Sequence, residues 1–152
     1  MLKNINIITE DIMQDMESNE LILCNDGSCY ENSSGGGWVL ATKNIKIIAT
    51  GYNQDTAYKE YQHSYRSETQ SNLEGHLFIN EICNFYAIDI PKVINICDCE
   101  SLLKKFQSHR PLKQNEAAVD VLKEIKKVIE QKPIIYRYVR GHQDEQVKIL
   151  SD

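Results

Sequence analysis

The spacing of apolar and polar positions changes several times along the chain, and each change marks an element. Glu20-Leu-Ile-Leu-Cys-Asn25 is a short continuous apolar run, the pattern of a strand buried on both faces. Trp38-Val-Leu-Ala41 and Ile45-Lys-Ile-Ile-Ala-Thr-Gly51, separated by Thr42-Lys-Asn44, read as a hairpin. Between the first run and the second, Asn32-Ser-Ser-Gly-Gly-Gly37 reads as a turn cluster. From residue 64 to 86 the period lengthens. Ser64 can cap, and Leu73, Leu77, Phe78, Ile82 and Phe85 recur at three- and four-residue intervals, which predicts a long buried helix. Pro91 follows, and Lys92-Val-Ile-Asn-Ile-Cys97 is a fourth strand. Ser101–Phe106 reads as a short helix and Asn115–Gln131 as another, with Val119, Leu122, Ile125 and Ile129 on one stripe and Lys123, Lys126 and Lys127 outside it. Pro133–Val139 is a fifth strand. Ahead of all this, residues 1–19 form a lead-in segment with a short amphipathic helix, since Ile8, Ile12 and Met16 lie four apart behind Thr9. The order predicts one α/β domain over residues 20–152. Its five-stranded mixed sheet has the first three strands antiparallel and the last two parallel to the first, through helical crossovers.

At 152 residues, 41% hydrophobic and 26% charged, the chain suits a single globular core, which excludes wholesale disorder. The apolar runs fall far short of the roughly 18 residues that span a bilayer, and Met1-Leu2-Lys3-Asn4 opens no signal peptide. The expectation is an intracellular protein of cytoplasm or nucleus, not secreted, off the membrane and monomeric. Five cysteines without framework spacing fit a reduced compartment. Cys97-x-Cys99 has no second Cys/His pair at zinc spacing. The net charge of −5 disguises an asymmetry: residues 1–100 carry 6 Lys/Arg against 15 Asp/Glu, whereas residues 101–140 carry 10 against 4. A basic stretch in an acidic chain suits a protein with one face on phosphates and another gathering cations, or simply two solvated helix faces.

Three carboxylates stand at informative places. Asp26 closes the first strand, Asp98 closes the fourth, and Glu68 falls near the start of the long helix. Parallel neighbouring strands set Asp26 and Asp98 side by side at their carboxyl ends, and a helix across the sheet brings Glu68 over both. Clustered acids repel unless they share a cation, and hard divalent ions with oxygen ligands meet that need. Two such ions roughly 4 Å apart activate water and stabilise a leaving oxygen in phosphodiester hydrolysis. His142, beyond the last strand in Val139-Arg-Gly-His-Gln-Asp144, has a side chain suited to proton transfer near neutral pH. Any one of these residues taken alone is more simply a turn, cap or incidental side chain.

Taken together, Asp26-Gly-Ser28, Gly35-Gly-Gly-Trp-Val-Leu40, Ser64-Tyr-Arg-Ser-Glu68, Cys97-Asp98-Cys-Glu-Ser-Leu102 and Val139-Arg-Gly-His-Gln-Asp144 resemble the ribonuclease H domain over roughly residues 20–145. The nearest likeness is to the version at the end of retroelement reverse transcriptases. The resemblance implies a ribonuclease H-like fold and a metal-dependent endonuclease cutting the RNA strand of RNA–DNA hybrids. It also implies two Mg²⁺ ions, with Mn²⁺ as substitute, and attachment to or derivation from a reverse transcriptase polymerase domain. Asp26, Glu68 and Asp98 take the metal-ligand positions and His142 the loop position that assists proton transfer or product release. Glu74 is the rival of Glu68, but six residues turn a helix by about 240°, so it should face elsewhere. The RNA strand would be selected through its 2′-hydroxyls, with Ser28, Asn53 and Gln70 as groove contacts and Lys104, Lys105, Arg110 and Lys113 gripping phosphates.

The family's fourth carboxylate sits on a final helix after the histidine loop. Here the sequence ends ten residues past His142, so Asp144 or Asp152 is left for that role, and a fragment lacking the final helix is expected. Four alternatives stay open: a non-catalytic binding or connecting module of this fold, a nuclease of this fold acting on DNA, a haloacid dehalogenase-type phosphotransferase, and an α/β interaction domain with no enzymatic role. The phosphotransferase wants a second Asp near the first, where this chain has Cys24 and Ser28.

Overall fold

A computed structural model of the chain describes residues 4–18, 20–30, 33–55, 64–97, 119–129 and 134–138. The elements in chain order are β1 (Ile5–Ile7), α1 (Ile12–Ser18), β2 (Leu21–Tyr30), β3 (Ser33–Thr42), β4 (Ile47–Asp55), α2 (Ser64–Phe85), β5 (Val93–Cys97), α3 (Val119–Ile129) and β6 (Ile134–Tyr138). The predicted order is recovered wherever it falls on described residues. The expected helix at Ser101–Phe106 lies outside them.

The sheet has six strands in the order β1-β4-β3-β2-β5-β6. β2, β3 and β4 form the antiparallel meander, and β5 and β6 run parallel to β2 and to each other, respectively. The extra strand is β1, which pairs antiparallel with the outer edge of β4 from Ile5↔Gly51 to Ile7↔Ala49. The lead-in segment is therefore an edge strand followed by a helix, where a helix alone was expected. Three residues carry too little alternation to announce a strand, and pairing to β4 supplies what the local pattern lacks.

A second correction concerns Gly35, Gly36 and Gly37. Read as a turn cluster, they lie inside β3, in register with Ser28, Gly27 and Asp26 of β2. The glycines answer a steric demand from the helix above, developed below. The true hairpin turn of Thr42–Ile47 has Thr42 N donating to Lys46 O at 2.9 Å and Ile45 N donating to Thr42 O at 2.8 Å.

β2 is buried on both faces as its continuous apolar run requires. Leu21 and Leu23 join Trp38, Leu40, Ile48, Phe78, Ile79, Cys83 and Val93 in the main core under α2. Ile22 and Cys24, on the alternate face, cluster with Ile94 and Ile96. Trp38 and Phe78 meet edge to face, with ring centroids 5.2 Å apart. α3 packs on α2 through Leu73, Val121 and Ile125, leaving Lys127 exposed and ion-paired to Glu124 at 3.4 Å. Phe85, expected on the buried stripe of α2, is 78% exposed, as the last residue of the helix, where it meets Tyr86 edge to face. α2 ends there: Ile88 N donates to Cys83 O at 2.8 Å, and Ala87 takes the left-handed conformation with φ of 52°.

Candidate active site

The site is built where β2 meets the first turns of α2. Gly27 of β2 is paired with Gly36 of β3, and both face the helix. A Cβ on Gly27 would lie 2.2 Å from Glu68 N and 2.6 Å from the Ser67 carbonyl carbon. A Cβ on Gly36 would lie 2.0 Å from Ser71 Oγ and 2.9 Å from Ser67 O. The two glycines together make a flat seat into which the backbone of Ser67–Ser71 descends. No residue with a side chain could hold the helix this close. That seat brings the backbone of Glu68, which opens the second turn of α2, down onto Gly27. Asp26, expected to close the first strand, lies inside it, because pairing with β3 carries β2 on to Tyr30; what ends at Asn25 is the ladder to β5.

Asp26 is half-buried, and the amide of Gly27 donates to its Oδ1 at 2.9 Å, holding the carboxylate against its own backbone. By strand alternation Asp26 points to the face opposite Asn25, while Asn25 points toward α2. Glu68 is only 3% exposed. Its Oε1 accepts from Asn25 Nδ2 at 2.8 Å and from Cys97 Sγ at 3.0 Å, and its backbone carbonyl accepts from the same Asn25 amide at 3.4 Å. Asn25 and Cys97 are register partners across the parallel β2–β5 pair. Three elements thus converge on one carboxylate: α2 carries it, while β2 and β5 donate to it.

Of the residues expected to act, the structure brings Asp26 and Glu68 to the same end of the sheet. Asp98, the residue after Cys97, lies outside the described residues, as do His142, Asp144, Asp152, Lys104, Lys105, Arg110 and Lys113. The side chain of Ser28 is outside them too, though its backbone pairs with Gly35. Asn53 and Gln70 lie together one step along α2. Asn53 Nδ2 donates to Ser71 Oγ at 3.2 Å and to Glu74 Oε2 at 2.9 Å, and Gln70 also hydrogen-bonds Glu74. Asn53 Oδ1 is buried and has no hydrogen-bond partner among the described residues. Glu74 therefore faces β4, while Glu68 faces β2 and β5, the separation that six residues of helix produce. Burial pushes the Glu74 carboxyl above its ordinary range, against the lowering effect of its Asn53 and Gln70 hydrogen bonds. Burial also pushes the Cys24 thiol up to about 11, which makes it an inert packing residue.

Sequence reasoning missed Asn25, Asn72, His76, Asn95 and Cys97. All five are buried, between 0% and 2% exposed, and all belong to one polar network between α2, β2 and β5. A signal was present: Asn25 and Asn95 are polar residues inside otherwise apolar strands, and Asn72 and His76 lie four apart on the buried side of a helix.

The donor set is hard oxygen at Asp26 and Glu68, which suits Mg²⁺ or Mn²⁺ in kind. Among the described residues, no three His, Cys, Asp or Glu side chains group closely enough to hold a metal ion. Each carboxylate is a donor of the kind such an ion takes, and a complete ligand set is absent among the described residues.

Comparison with known proteins places this geometry. No protein-family model matches the chain. It is 22% identical over 139 residues to a ribonuclease H of Caldicellulosiruptor saccharolyticus, covering 88% of this chain and 91% of that protein. Among solved structures it is similar to the N-terminal ribonuclease H domain of a Mycobacterium tuberculosis protein, with a TM-score of 0.67 and 13% identity over 86% of this chain and 88% of that one. It is also similar to LC11-RNase H1 in complex with an RNA/DNA hybrid, with a TM-score of 0.66 and 11% identity over 86% of this chain and 93% of that one. The chain has a ribonuclease H-like α/β fold. Its sequence resemblance to ribonuclease H, first visible in five short motifs, extends to a curated relative over most of both chains.

Among the described residues no helix is long and apolar enough to cross a membrane.

Proposed function

We propose that this chain is a ribonuclease H, a metal-dependent endonuclease that hydrolyses the RNA strand of RNA–DNA hybrids. The observation that carries the reading is the Gly27–Gly36 seat, which brings the backbone of the buried Glu68 down onto β2 at the residue next to Asp26. The relative named ribonuclease H and the hybrid-bound neighbour agree with this reading.

Asp26 and Glu68, joined by Asp98 and by Asp144 or Asp152, would hold two Mg²⁺ ions, for which Mn²⁺ could substitute. When bound, the ions supply an activated water and stabilise charge on the leaving oxygen. The chain's own residues do the rest. Glu68, held from two sides, presents a fixed carboxylate; Asp26, oriented by the Gly27 amide, does the same from within β2, one residue past the ladder to β5. His142 shuttles the proton of the departing group. Ser28, Asn53 and Gln70 read the RNA strand through its 2′-hydroxyls, and Lys104 and Lys105 engage the phosphates. On this reading the domain is a monomeric unit of, or derived from, a reverse transcriptase, attached to a polymerase domain.

The test is cleavage of an end-labelled RNA–DNA hybrid in Mg²⁺ and in Mn²⁺, with single-stranded RNA and duplex DNA beside it. Glu68→Gln and Asp98→Asn serve as controls. Cutting confined to the RNA of the hybrid, lost in both variants, is the expected result. Metal-independent cutting, cutting of duplex DNA alone, or hybrid binding without cleavage would each refute it, the last in favour of a non-catalytic module.

A further inference from the structure

The polar network beneath α2 has a direction, and the direction can be read from two backbone carbonyls. Asn95 Nδ2 donates to Leu23 O at 3.2 Å; a carbonyl only accepts, so the Asn95 amide cannot be turned the other way. With Nδ2 fixed there, the same group donates to Asn25 Oδ1 at 3.0 Å. Asn72 Nδ2 also donates to Asn25 Oδ1, at 3.0 Å, and to Asn95 Oδ1, at 2.6 Å. Asn25 Oδ1 thus faces two donors, and Asn25 Nδ2 is left facing Glu68, where the Glu68 carbonyl confirms the orientation. At the far end, Asn95 Oδ1 lies 3.0 Å from His76 Nε2. Because that oxygen only accepts, His76 must carry its proton on Nε2.

Every donor in the series His76, Asn95, Asn25 therefore points the same way, and the last acceptor is Glu68 Oε1. Amide groups aligned head to tail polarise one another, so the final N–H is a better donor than a lone asparagine would be. A flip of Asn25 would press its oxygen on a carboxylate and its N–H₂ on two other donors.

We infer that this buried chain is a positioning device for Glu68, with Asn25 as the residue that holds Oε1 and Asn95, Asn72 and His76 as the groups that keep Asn25 from turning. The inference rests on the proposed metal-binding role of Glu68. It adds residues that touch neither metal nor substrate and act through that carboxylate. Groups that orient a ligand from behind commonly change metal affinity by roughly 10–100-fold when removed.

The experiment uses the full chain and measures Mn²⁺ binding by calorimetry, with hybrid kcat and KM alongside. Asn25→Leu, which removes the final donor, should weaken Mn²⁺ by about 10-fold or more and lower kcat while leaving KM for the hybrid near parental. His76→Leu should weaken Mn²⁺ in the same direction by a smaller factor, and His76→Gln, which keeps a donor for Asn95 Oδ1, should restore it. Parental Mn²⁺ affinity in a folded Asn25→Leu protein overturns the inference. If Asn25→Leu does not fold, parental affinity in His76→Leu overturns it instead. A long-range ¹H–¹⁵N spectrum of the unsubstituted protein reads the network without any metal: a proton on Nε2 of His76 is expected, and a proton on Nδ1 alone overturns the chain's direction. A parent chain that binds no Mn²⁺ overturns the functional reading itself, a result separate from any of these.

Discussion

Gly27→Ala adds one methyl group at the point where β2 and α2 come closest. The new Cβ would stand 2.2 Å from Glu68 N, 2.6 Å from Ser67 C and 2.8 Å from Glu68 Cα. All three are backbone atoms, so no side chain can rotate out of the way. Ordinary contact requires about 3.5 Å or more, so the first turns of α2 must retreat by roughly 1 Å. Overpacking of that kind costs about 1–3 kcal/mol. For a chain of this size it lowers Tm by roughly 2–4 °C per kcal/mol, or about 2–12 °C in all. The retreat would also stretch the 2.8 Å Asn25–Glu68 hydrogen bond toward its limit. A reacting group misplaced by about 1 Å costs on the order of 100-fold in rate. Scanning calorimetry and hybrid cleavage on the same preparation measure both effects. Gly37→Ala is the matched control, because a Cβ there meets, among the described residues, only Gly51 O, at 3.2 Å. Its loss should be smaller in both readouts. Parental Tm and parental cleavage in Gly27→Ala, or equal losses in the two variants, would refute the seat.

Two further outcomes follow from other parts of the fold. Burial raises the folded-state carboxyl of Glu74 above its unfolded value, so its contribution to stability is complete below the unfolded pKa and is lost as pH rises through the raised one; Glu74→Gln, which still offers an oxygen to Asn53, should raise Tm at pH 8 and leave it unchanged near pH 4, as thermal melts at the two values would show. Ala87 ends α2 in the left-handed conformation at φ 52° and is exposed; Ala87→Gly removes a cost of roughly 1–2 kcal/mol, partly offset by backbone entropy, for a net gain of about 0.5–1 kcal/mol in urea unfolding.

Elements whose side chains repeat with a clear period were legible in the amino-acid order. Leu21–Cys24 are buried as a continuous run predicts, α2 begins at Ser64, and Val93–Cys97 and Ile134–Tyr138 are strands where apolar runs follow Pro91 and Pro133. Helix geometry alone set Glu74 apart from Glu68, and the two face different strands. Local pattern failed where a residue's reason for being there lies in a distant segment. Gly35–Gly37 look like a turn to any local rule, because glycine's commonest local use is a turn. Only the descent of α2 onto Gly27 and Gly36 makes them strand residues with a steric purpose. β1 is a strand because β4 offers an open edge, not because three residues alternate. Asn25, Asn72, His76 and Asn95 are separated by up to 70 positions, and each in isolation is a polar residue in the wrong place. Brought together, they hydrogen-bond one another in a buried site and end on the carboxylate of Glu68, with only Asn72 Oδ1 of their side-chain oxygens left without a partner among the described residues. Periodicity decides which residues go inside; only the packing of helix on sheet decides which buried polar groups meet, because hydrogen bonds are made between atoms a few ångströms apart and the chain order carries no distance.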